Sequence, residues 1–364
     1  MKLKKILFIL HLPPPIHGAS VMGKYIHDSS LINEAFNSEF INLTTSKTID
    51  EIGKNPIFKI GRYLQIFFSV IYRLLIFNPD KVYITITANG LGFYKDFPIA
   101  LLVKLFRKKL VLHYHNKGVK PCQNIFFYNI LYKVLFNNVK VILLSEYLYD
   151  DVKKYVKVED VYFCPNGIPS VEFVKSDIKH NKPIELLFLS NLIESKGIFI
   201  LLESLKILKD KHINFHCNLV GGEGDITNYS LMLKLEELNL NNEVSFLGKK
   251  YGHNKNSIYK KSDIFVFPTF YQNECFPLVI LEAMMFGLPV ISTNEGGIPD
   301  IVKDHETGYV VEKKSSMQLA QKIEYLIQYP NEALRMGEYG RRQFLEKYTL
   351  NRFEERLIEI LKSQ

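Results

Sequence analysis

The chain has 364 residues, of which 47% are hydrophobic and 23% charged, a composition that excludes a disordered chain and predicts two globular cores. Its charge is uneven, because residues 1–180 carry 24 Lys and Arg against 14 Asp and Glu, whereas the remainder carries 22 against 24. The first half therefore has a net charge of +10 and the second half a net charge of −2, which together give the total of +8. We expect the basic half to meet an acidic partner such as nucleic acid, phosphate or an anionic membrane.

The first residues, MKLKKILFILHLPPP, imitate a signal peptide. Their apolar run from Ile6 to Leu10 is too short for one and stops at His11, so we interpret it as a buried first strand. No stretch of about 18 residues lacks charge, and the sequence predicts no transmembrane helix. The four cysteines form no CxxC pair, which argues against a zinc site or disulfide framework and favours a reducing cytosol.

Short apolar runs alternate with longer amphipathic ones along the chain. Strands are predicted at 4–10, 39–43, 81–86, 109–114, 139–144, 161–164, 184–190, 214–220, 243–247, 263–267, 289–292 and 307–311. Helices are predicted at 57–77, 92–106, 196–209, 226–238 and 316–328, with further helices in 331–361. This rhythm is typical of parallel sheets covered by helices on both faces. The fold class is therefore α/β with two doubly wound domains.

The rhythm restarts after a polar segment, 176–183, that we interpret as a linker. An N-terminal domain is predicted at 1–175 and a C-terminal domain at 183–349, with a cleft between them. Ligands of such sheets bind at the carboxyl ends of the strands. The loops that follow the strands are rich in glycine, lysine, histidine and acids, which favours a phosphate-bearing ligand.

The stretch NECFPLVILEAMMFGLPV carries two acids, Glu274 and Glu282, around a predicted helix that follows strand 263–267. Pro277 suits the first turn of that helix, so Glu274 lies in the loop before it. The free N–H groups of the first turn, around Leu278 and Val279, predict an anion site. Glu282 lies deeper and can accept hydrogen bonds from a vicinal diol such as a ribose. Alternatively, Glu274 caps the helix and Glu282 pairs with a lysine.

Two further loops predict phosphate contacts. Lys196 precedes the start of a helix near Gly197, where a lysine can neutralise a diphosphate, although a solvated surface lysine is the commoner case. The glycines of 221–224 let a ligand approach the backbone closely. They resemble half of a GxGxxG fingerprint, which is a weak signal.

The order of these motifs resembles the nucleotide-sugar domain of the retaining glycosyltransferases of family 4, which have the GT-B fold. The matching segments are 165–168, 190–192, 196–197, 220–224, 246–248, 268–269, 274–283, 287–290 and 296–300. The likeness is dense over 160–312 and thinner over 1–120. It implies a two-domain GT-B architecture in which the last helix, 350–361, crosses back onto the N-terminal domain, so that 350–364 complete that domain.

The resemblance also implies roles for the donor-side residues. Lys196 would hold the donor diphosphate together with the amides of Leu278 and Val279. Glu282 would bind the ribose hydroxyls, and Glu274 would face the transferred sugar. The Gly222 loop would approach the donor closely.

On the N-terminal side, the resemblance implies that Gly18 lets the donor phosphates approach and that His115 lies near the sugar. The alternative for His115 is a core histidine, and His113, two residues earlier, shares its predicted face. The family usually has arginine at the position of Asn191. Lys249 or Lys250 would then supply the missing cation, or binding depends on Lys196 and the helix amides.

The implied chemistry is transfer of a sugar from a nucleotide-sugar, with UDP the commonest nucleotide of the family, to a glycan or lipid-linked hydroxyl acceptor in polysaccharide synthesis. It implies no metal cofactor, since a lysine and a helix dipole take the charge of the leaving diphosphate. Retention would proceed by front-face displacement, without a covalent intermediate on Glu274. A sugar-nucleotide epimerase of similar fold, or a non-catalytic nucleic-acid or membrane-binding protein, are the alternatives.

Residues 57–77 raise a question about membranes. Arg62, Gln65, Ser69 and Arg73 form one polar stripe on this apolar helix, and basic residues at 104–109 add charge nearby. The segment is either an amphipathic surface for an anionic membrane leaflet or a buried helix between sheet layers. The first alternative favours a cytoplasmic protein peripheral on the inner face of the membrane.

Overall fold

The computed structural model describes residues 3–45, 56–172 and 183–363. The contacts of the chain divide it into two units, unit 1 comprising Met1–Gly167 and Leu350–Gln364, and unit 2 comprising Ile168–Thr349. The predicted linker, 176–183, lies outside the described residues except for Pro183. The domain limits drawn from it, 1–175 and 183–349, stay predictions.

The described part of unit 1 is built on a six-stranded parallel sheet with the strand order β2-β1-β3-β4-β5-β6. Its strands are β1 (Lys5–Leu10), β2 (Asn37–Asn42), β3 (Lys81–Ile86), β4 (Lys109–Tyr114), β5 (Lys140–Leu143) and β6 (Val161–Phe163). Its helices before unit 2 are α1 (Gly18–Asp28), α2 (Ser30–Ala35), α3 (Pro56–Ile76), α4 (Gly90–Leu105), α5 (Val119–Cys122), α6 (Phe126–Phe136) and α7 (Tyr149–Val152). β1 and β3 are almost wholly buried because helices cover both faces of the sheet.

Unit 2 repeats this architecture with the strand order β12-β11-β10-β7-β8-β9, again parallel throughout the described pairs. Its strands are β7 (Ile184–Leu189), β8 (Phe215–Val220), β9 (Val244–Phe246), β10 (Ile264–Phe267), β11 (Val290–Thr293) and β12 (Gly308–Val311). Its helices are α8 (Ile198–Asp210), α9 (Asn228–Glu237), α10 (Gly252–Lys261), α11 (Leu278–Met285), α12 (Ile298–Ile301), α13 (Ser316–Gln328) and α14 (Pro330–Lys347). The twelve predicted strands are thus confirmed to within about two residues at each end.

The last helix, α15 (Leu350–Ser363), returns to unit 1 as predicted. Its carbonyl at Leu361 accepts a hydrogen bond of 2.6 Å from Nζ of Lys81, a lysine that is only 2% exposed. Burial lowers the pKa of Lys81 to about 8. The last helix therefore satisfies a buried cation of the unit 1 sheet, which ties the C-terminal end of the chain to that sheet.

The structure excludes one of the two alternatives for α3. Ile60, Leu64, Phe68, Tyr72 and Ile76 are all exposed, so the interpretation of this segment as a buried helix between sheet layers is wrong. No helix in the described residues is long and apolar enough to cross a membrane.

Candidate functional site

The loops after β7 and β8 are joined at the carboxyl edge of the unit 2 sheet. The Leu192 N–H donates to the Gly222 carbonyl at 2.7 Å, and the Ile226 N–H donates to the Leu192 carbonyl at 3.0 Å. Because β7 and β8 are adjacent and parallel, both loops leave the sheet at the same edge. The backbone bonds make these loops one surface.

Lys196 and Glu274 form an ion pair at this edge. Nζ of Lys196 lies 2.5 Å from Oε2 of Glu274, and the two side chains are only 15% and 11% exposed. The ammonium also lies 4.4 Å from the ring centroid of Tyr271, a distance typical of a cation–π contact. The structure thus joins two residues 78 positions apart whose roles were predicted separately.

The loop after β11 contacts the backbone at Glu274. Gly296 has φ of +57°, and a Cβ there would lie 2.2 Å from the Glu274 carbonyl oxygen. The Gly297 N–H donates to the Cys275 carbonyl at 2.6 Å, and the Glu274 N–H donates to the Tyr271 carbonyl at 2.8 Å. The Glu274 loop therefore depends on a glycine for its position.

The helix that follows, α11, begins at Leu278 rather than at Pro277. Pro277 is the N-cap and has an extended backbone, with ψ of 121°, so its predicted place in the first turn is wrong by one residue. A proline N-cap offers no side-chain acceptor, and the N–H groups of Leu278 and Val279 have no intrahelical acceptor. Both residues are half-buried. These N–H groups are suited to an anion.

Glu282 is held by two residues of α10. Nζ of Lys255 lies 2.5 Å from its Oε1, and the Tyr259 hydroxyl donates to its Oε2 at 3.0 Å. The same hydroxyl lies 3.2 Å from the Val279 carbonyl. Burial, followed by the Glu282 charge, raises the pKa of Tyr259, which keeps its proton available for donation. The carboxylate is thereby fixed in one orientation on α11.

Asn191 has a structural contact of its own in the glycine loop. Its Oδ1 accepts a hydrogen bond of 3.3 Å from the Gly222 N–H. The exposed Lys249 lies across the same glycine, since a Cβ on Gly222 would lie 1.9 Å from Cε of Lys249. The structure therefore brings one of the two predicted substitute cations next to the glycine loop that Asn191 holds.

In unit 1 the two predicted histidines have different surroundings. His113 lies within β4, is fully buried, and its Nδ1 is 2.5 Å from the Tyr83 hydroxyl, so it is the core histidine of the pair. His115 follows the end of β4, and its ring centroid lies 4.3 Å from that of His113. Burial, together with the charges of His11 and His17, lowers the pKa of His115 to about 3, and a hydrogen bond with Asn166 opposes this shift. His115 is therefore neutral near pH 7.

Sequence reasoning missed a charged cluster near His115. The Asp96 side chain is fully buried, and its Oδ2 accepts a hydrogen bond of 2.9 Å from the Thr87 N–H. Lys95 lies 3.2 Å from Oδ1 and His11 lies 4.0 Å from Oδ2 of this carboxylate. Burial lowers the pKa of His11 to about 4, although Asp96 opposes that shift.

Gly18 is the first residue of α1, and His17 caps that helix by accepting the Ser20 N–H at Nδ1. Gly18 is exposed, and no heavy atom lies within 4 Å of where its Cβ would be. The predicted approach to its backbone is therefore open.

The sequence carries only part of the signal for the partners of Glu282. Lys255 and Tyr259 are four residues apart, which places them on one face of α10. Nothing in the sequence alone indicates that this face meets α11. No sequence pattern indicates that Asp96 is buried beside His11, because it lies in a predicted apolar helix next to Lys95.

The fold places the chain in a structural class. The chain has the two-domain α/β fold of the GT-B glycosyltransferases. The family model described as "Glycosyl transferases group 1" matches residues 170–343, which is almost the whole of unit 2. The matched residues include Lys196, Glu274 and Glu282.

Particular relatives agree with this class. The chain is 28% identical over 186 residues to spore coat protein SA of Bacillus subtilis. The aligned region covers 50% of this chain and 49% of that protein, so the chain spans about half the length of this relative. It is 27% identical over 305 residues to the capsular polysaccharide biosynthesis glycosyltransferase CapM of Staphylococcus aureus, covering 77% of each chain. The crystal structure of Anabaena Alr3699/HepE in complex with UDP superposes with a TM-score of 0.76 at 17% identity over the full length of both chains, and the same protein is also solved with UDP-glucose.

Proposed function

We propose that this chain transfers a sugar from a nucleotide-sugar donor to a hydroxyl acceptor. The observation that carries the proposal is the Lys196–Glu274 pair. Lys196 lies just before α8, and Glu274 lies just before α11, a helix whose first N–H groups have no intrahelical acceptor. A cation and helix amides stabilise the charge of a leaving diphosphate, and an adjacent carboxylate is suited to the sugar. The match of unit 2 to the glycosyltransferase family model supports the same activity.

In this proposal the donor is held mainly by unit 2. Lys196 and the amides of Leu278 and Val279 bind the diphosphate, and Glu282 accepts hydrogen bonds from the ribose hydroxyls. The Gly222 loop approaches the nucleotide, with Lys249 as the second cation. This assignment is supported by the position of Lys249 across Gly222.

Unit 1 contributes Gly18 and His115 in the proposal. Because its pKa is held at about 3, His115 acts as a neutral hydrogen-bonding group toward the sugar and not as a cation. We propose retention by front-face displacement, in which the leaving phosphate helps to deprotonate the acceptor hydroxyl and Glu274 stabilises the developing positive charge. A covalent glycosyl–Glu274 species, trapped and identified by mass spectrometry, would contradict this step.

For the substrates we propose a UDP-sugar and a glycan or lipid-linked acceptor of cell-surface polysaccharide synthesis, used at the cytoplasmic face of the membrane. The UDP and UDP-glucose complexes of the Anabaena protein support the nucleotide. The similarity to CapM, a glycosyltransferase of capsular polysaccharide biosynthesis, supports the acceptor class.

A donor screen by thermal shift tests the proposal. A nucleotide-sugar at about 100 times its Kd adds about 2.7 kcal/mol to the free energy of unfolding, which raises the melting temperature by several degrees. Lys196→Ala should lose this shift, whereas Lys206→Ala, which removes an exposed lysine paired with Asp210, should keep it.

Product analysis then separates the alternatives. Donor consumption that requires an acceptor supports transfer. Isomerised donor formed without acceptor would indicate an epimerase. Salt-sensitive nucleic-acid binding with no nucleotide-sugar binding would overturn the proposal.

A further inference from the structure

The exposed side chains in the described part of α3 are apolar except for Gln65. Ile60, Leu64, Phe68, Tyr72 and Ile76 follow one another at four-residue intervals, and each is exposed. Side chains four residues apart are neighbours on a helix surface, so these five form one stripe. We call them the α3 stripe. Leu75 widens it near its C-terminal end.

The arginines of α3 contact other parts of unit 1, which explains why the exposed face of the helix lacks charge. Arg62 donates to the Thr45 carbonyl at 2.8 Å, and Arg73 pairs with Glu39 at the end of the helix nearest β3. Arg62, Ser69 and Arg73 of the predicted polar stripe are half-buried, whereas Gln65 is exposed. The inward side of α3 carries the buried Val70 and Leu74, and its outer side carries Phe68 at 63% and Ile76 at 67% exposure. An ordinary surface helix has its apolar residues mainly inside, whereas α3 also presents them to solvent.

A basic pocket adjoins the C-terminal end of the stripe. It has a volume of about 550 Å³, and its charged lining is Lys104, Arg107, Lys108, Lys109, Lys140 and Asp160. Lys108 bonds the side chain of Asn78, two residues beyond α3. Leu105, beside the pocket, is exposed. Lys108 thus connects the basic pocket to the loop at the C-terminal end of α3.

The cations of this pocket are not all committed to the fold. Lys104 donates to the Val134, Leu135 and Asn137 carbonyls at the end of α6, and Lys140 pairs with Asp160 at 2.6 Å. Arg107 and Lys109 are exposed, and in the described residues neither forms an ion pair. Two cations thus remain for an anion in solution.

We propose that the α3 stripe and the basic pocket dock this protein onto an anionic lipid bilayer. The stripe would lie in the plane of the interface with its side chains among the upper acyl chains, and Arg107 and Lys109 would meet lipid phosphates. Charge decides against a second copy of the chain, because residues 1–180 carry +10 and a symmetric contact would bring two basic pockets together. The inference goes beyond the proposed function and does not depend on it.

The location of the pocket keeps docking separate from catalysis. Lys109 and Lys140 are the first residues of β4 and β5, so the pocket lies at the amino edge of the unit 1 sheet. His115 and Gly18 follow the carboxyl ends of their strands, at the opposite edge. A bilayer at the amino edge therefore leaves the predicted sugar-binding residues of unit 1 accessible.

Vesicle flotation tests the proposal with the full chain. Wild-type protein should float with phosphatidylcholine vesicles containing phosphatidylglycerol and float much less with phosphatidylcholine alone. Phe68→Ser with Tyr72→Ser should lower partitioning into the vesicles at least about tenfold, since two apolar side chains that would enter the bilayer are lost. Arg107→Glu with Lys109→Glu should remove the preference for the anionic lipid.

Matched controls lie in unit 2. Tyr229→Ser with Leu233→Ser removes two exposed apolar side chains of α9, and Lys261→Glu with Lys347→Glu makes the same charge change at exposed sites. Both controls should float like the wild type, and every variant should bind UDP as the wild type does if the proposed function holds. Failure of the wild type to float, or α3 variants that float normally, overturns the proposal. So does a wild-type dimer in light scattering that Phe68→Ser with Tyr72→Ser makes monomeric.

Discussion

The contact between Lys196 and Glu274 predicts that the two residues affect nucleotide binding in opposite directions. Nζ and Oε2 are 2.5 Å apart in surroundings that are 11–15% exposed. A diphosphate that binds Lys196 must share the ammonium with a carboxylate of the same sign as itself. Removing the lysine should therefore weaken UDP binding, whereas removing the charge of Glu274 should not.

The size of each effect follows from Coulomb's law. Two unit charges about 4 Å apart interact by about 4 kcal/mol at an effective dielectric constant of about 20. Desolvation of the ammonium offsets part of this, so Lys196→Met should cost about 2–3 kcal/mol, or roughly 30- to 150-fold in the Kd for UDP. Glu274→Gln removes a repulsion of similar origin, and UDP should then bind with equal affinity or up to about tenfold more tightly.

Titration calorimetry of UDP with the wild type, the two single variants and the double variant measures this. Lys206→Met is the matched control, because Lys206 pairs with Asp210 on an exposed helix surface. Glu274→Gln should meanwhile lose at least about a hundredfold in sugar transfer, since the carboxylate acts in the transition state and not on the nucleotide.

Two results would refute this reasoning. Unchanged UDP affinity in Lys196→Met would mean that this lysine only neutralises Glu274. Equal weakening in Glu274→Gln and Lys196→Met would mean that the ion pair positions the lysine and that the two residues act as one unit. Chemical denaturation accompanies each titration, because Lys196→Met leaves a largely buried carboxylate without its cation.

Four further predictions concern neighbouring groups. Tyr259→Phe removes the hydrogen bond that orients the Glu282 carboxylate. It should therefore weaken UDP binding several-fold with little change in kcat, measured by calorimetry and steady-state kinetics. Gly296→Ala should abolish transfer and cost about 2 kcal/mol or more by chemical denaturation, because its φ is +57° and its Cβ would lie 2.2 Å from the Glu274 carbonyl oxygen; Gly248→Ala, at φ +65° with open space around it, controls for backbone strain alone. His11 has its pKa lowered to about 4 in the folded chain, so the unfolded chain binds its proton first, and stability is lost as the pH falls from about 6.5 to about 4, by about 3 kcal/mol; His11→Gln should flatten this part of the curve of denaturation free energy against pH. Chelation by EDTA should leave the transfer rate unchanged, and a rate restored only by added Mg²⁺ or Mn²⁺ would contradict the assignment of the diphosphate charge to Lys196 and the helix amides.

The hydrophobic rhythm of the sequence was sufficient for the fold class. Strands in parallel sheets are buried on both faces and appear as short apolar runs, and helices between them have a longer period, so β3 and β4 were predicted at the residues where they occur. The motif order around Glu274 and Glu282 was likewise readable, because loops after strands stand out by their glycines and charges. The partners in this site were not readable.

Only the tertiary structure decided which side chains are in contact. It paired Glu274 with Lys196 and Glu282 with Lys255 and Tyr259, so the acid before α11 and the acid within it each form an ion pair with a lysine. It also gave Arg62 and Arg73 of α3 partners in unit 1 and left Leu64, Phe68 and Ile76 exposed, a placement that the sequence pattern does not predict. Local periodicity determines how a segment folds, since it depends on near neighbours. The choice between inward and outward faces, and between partners 27 or 78 residues apart, depends on contacts that exist only after the elements pack.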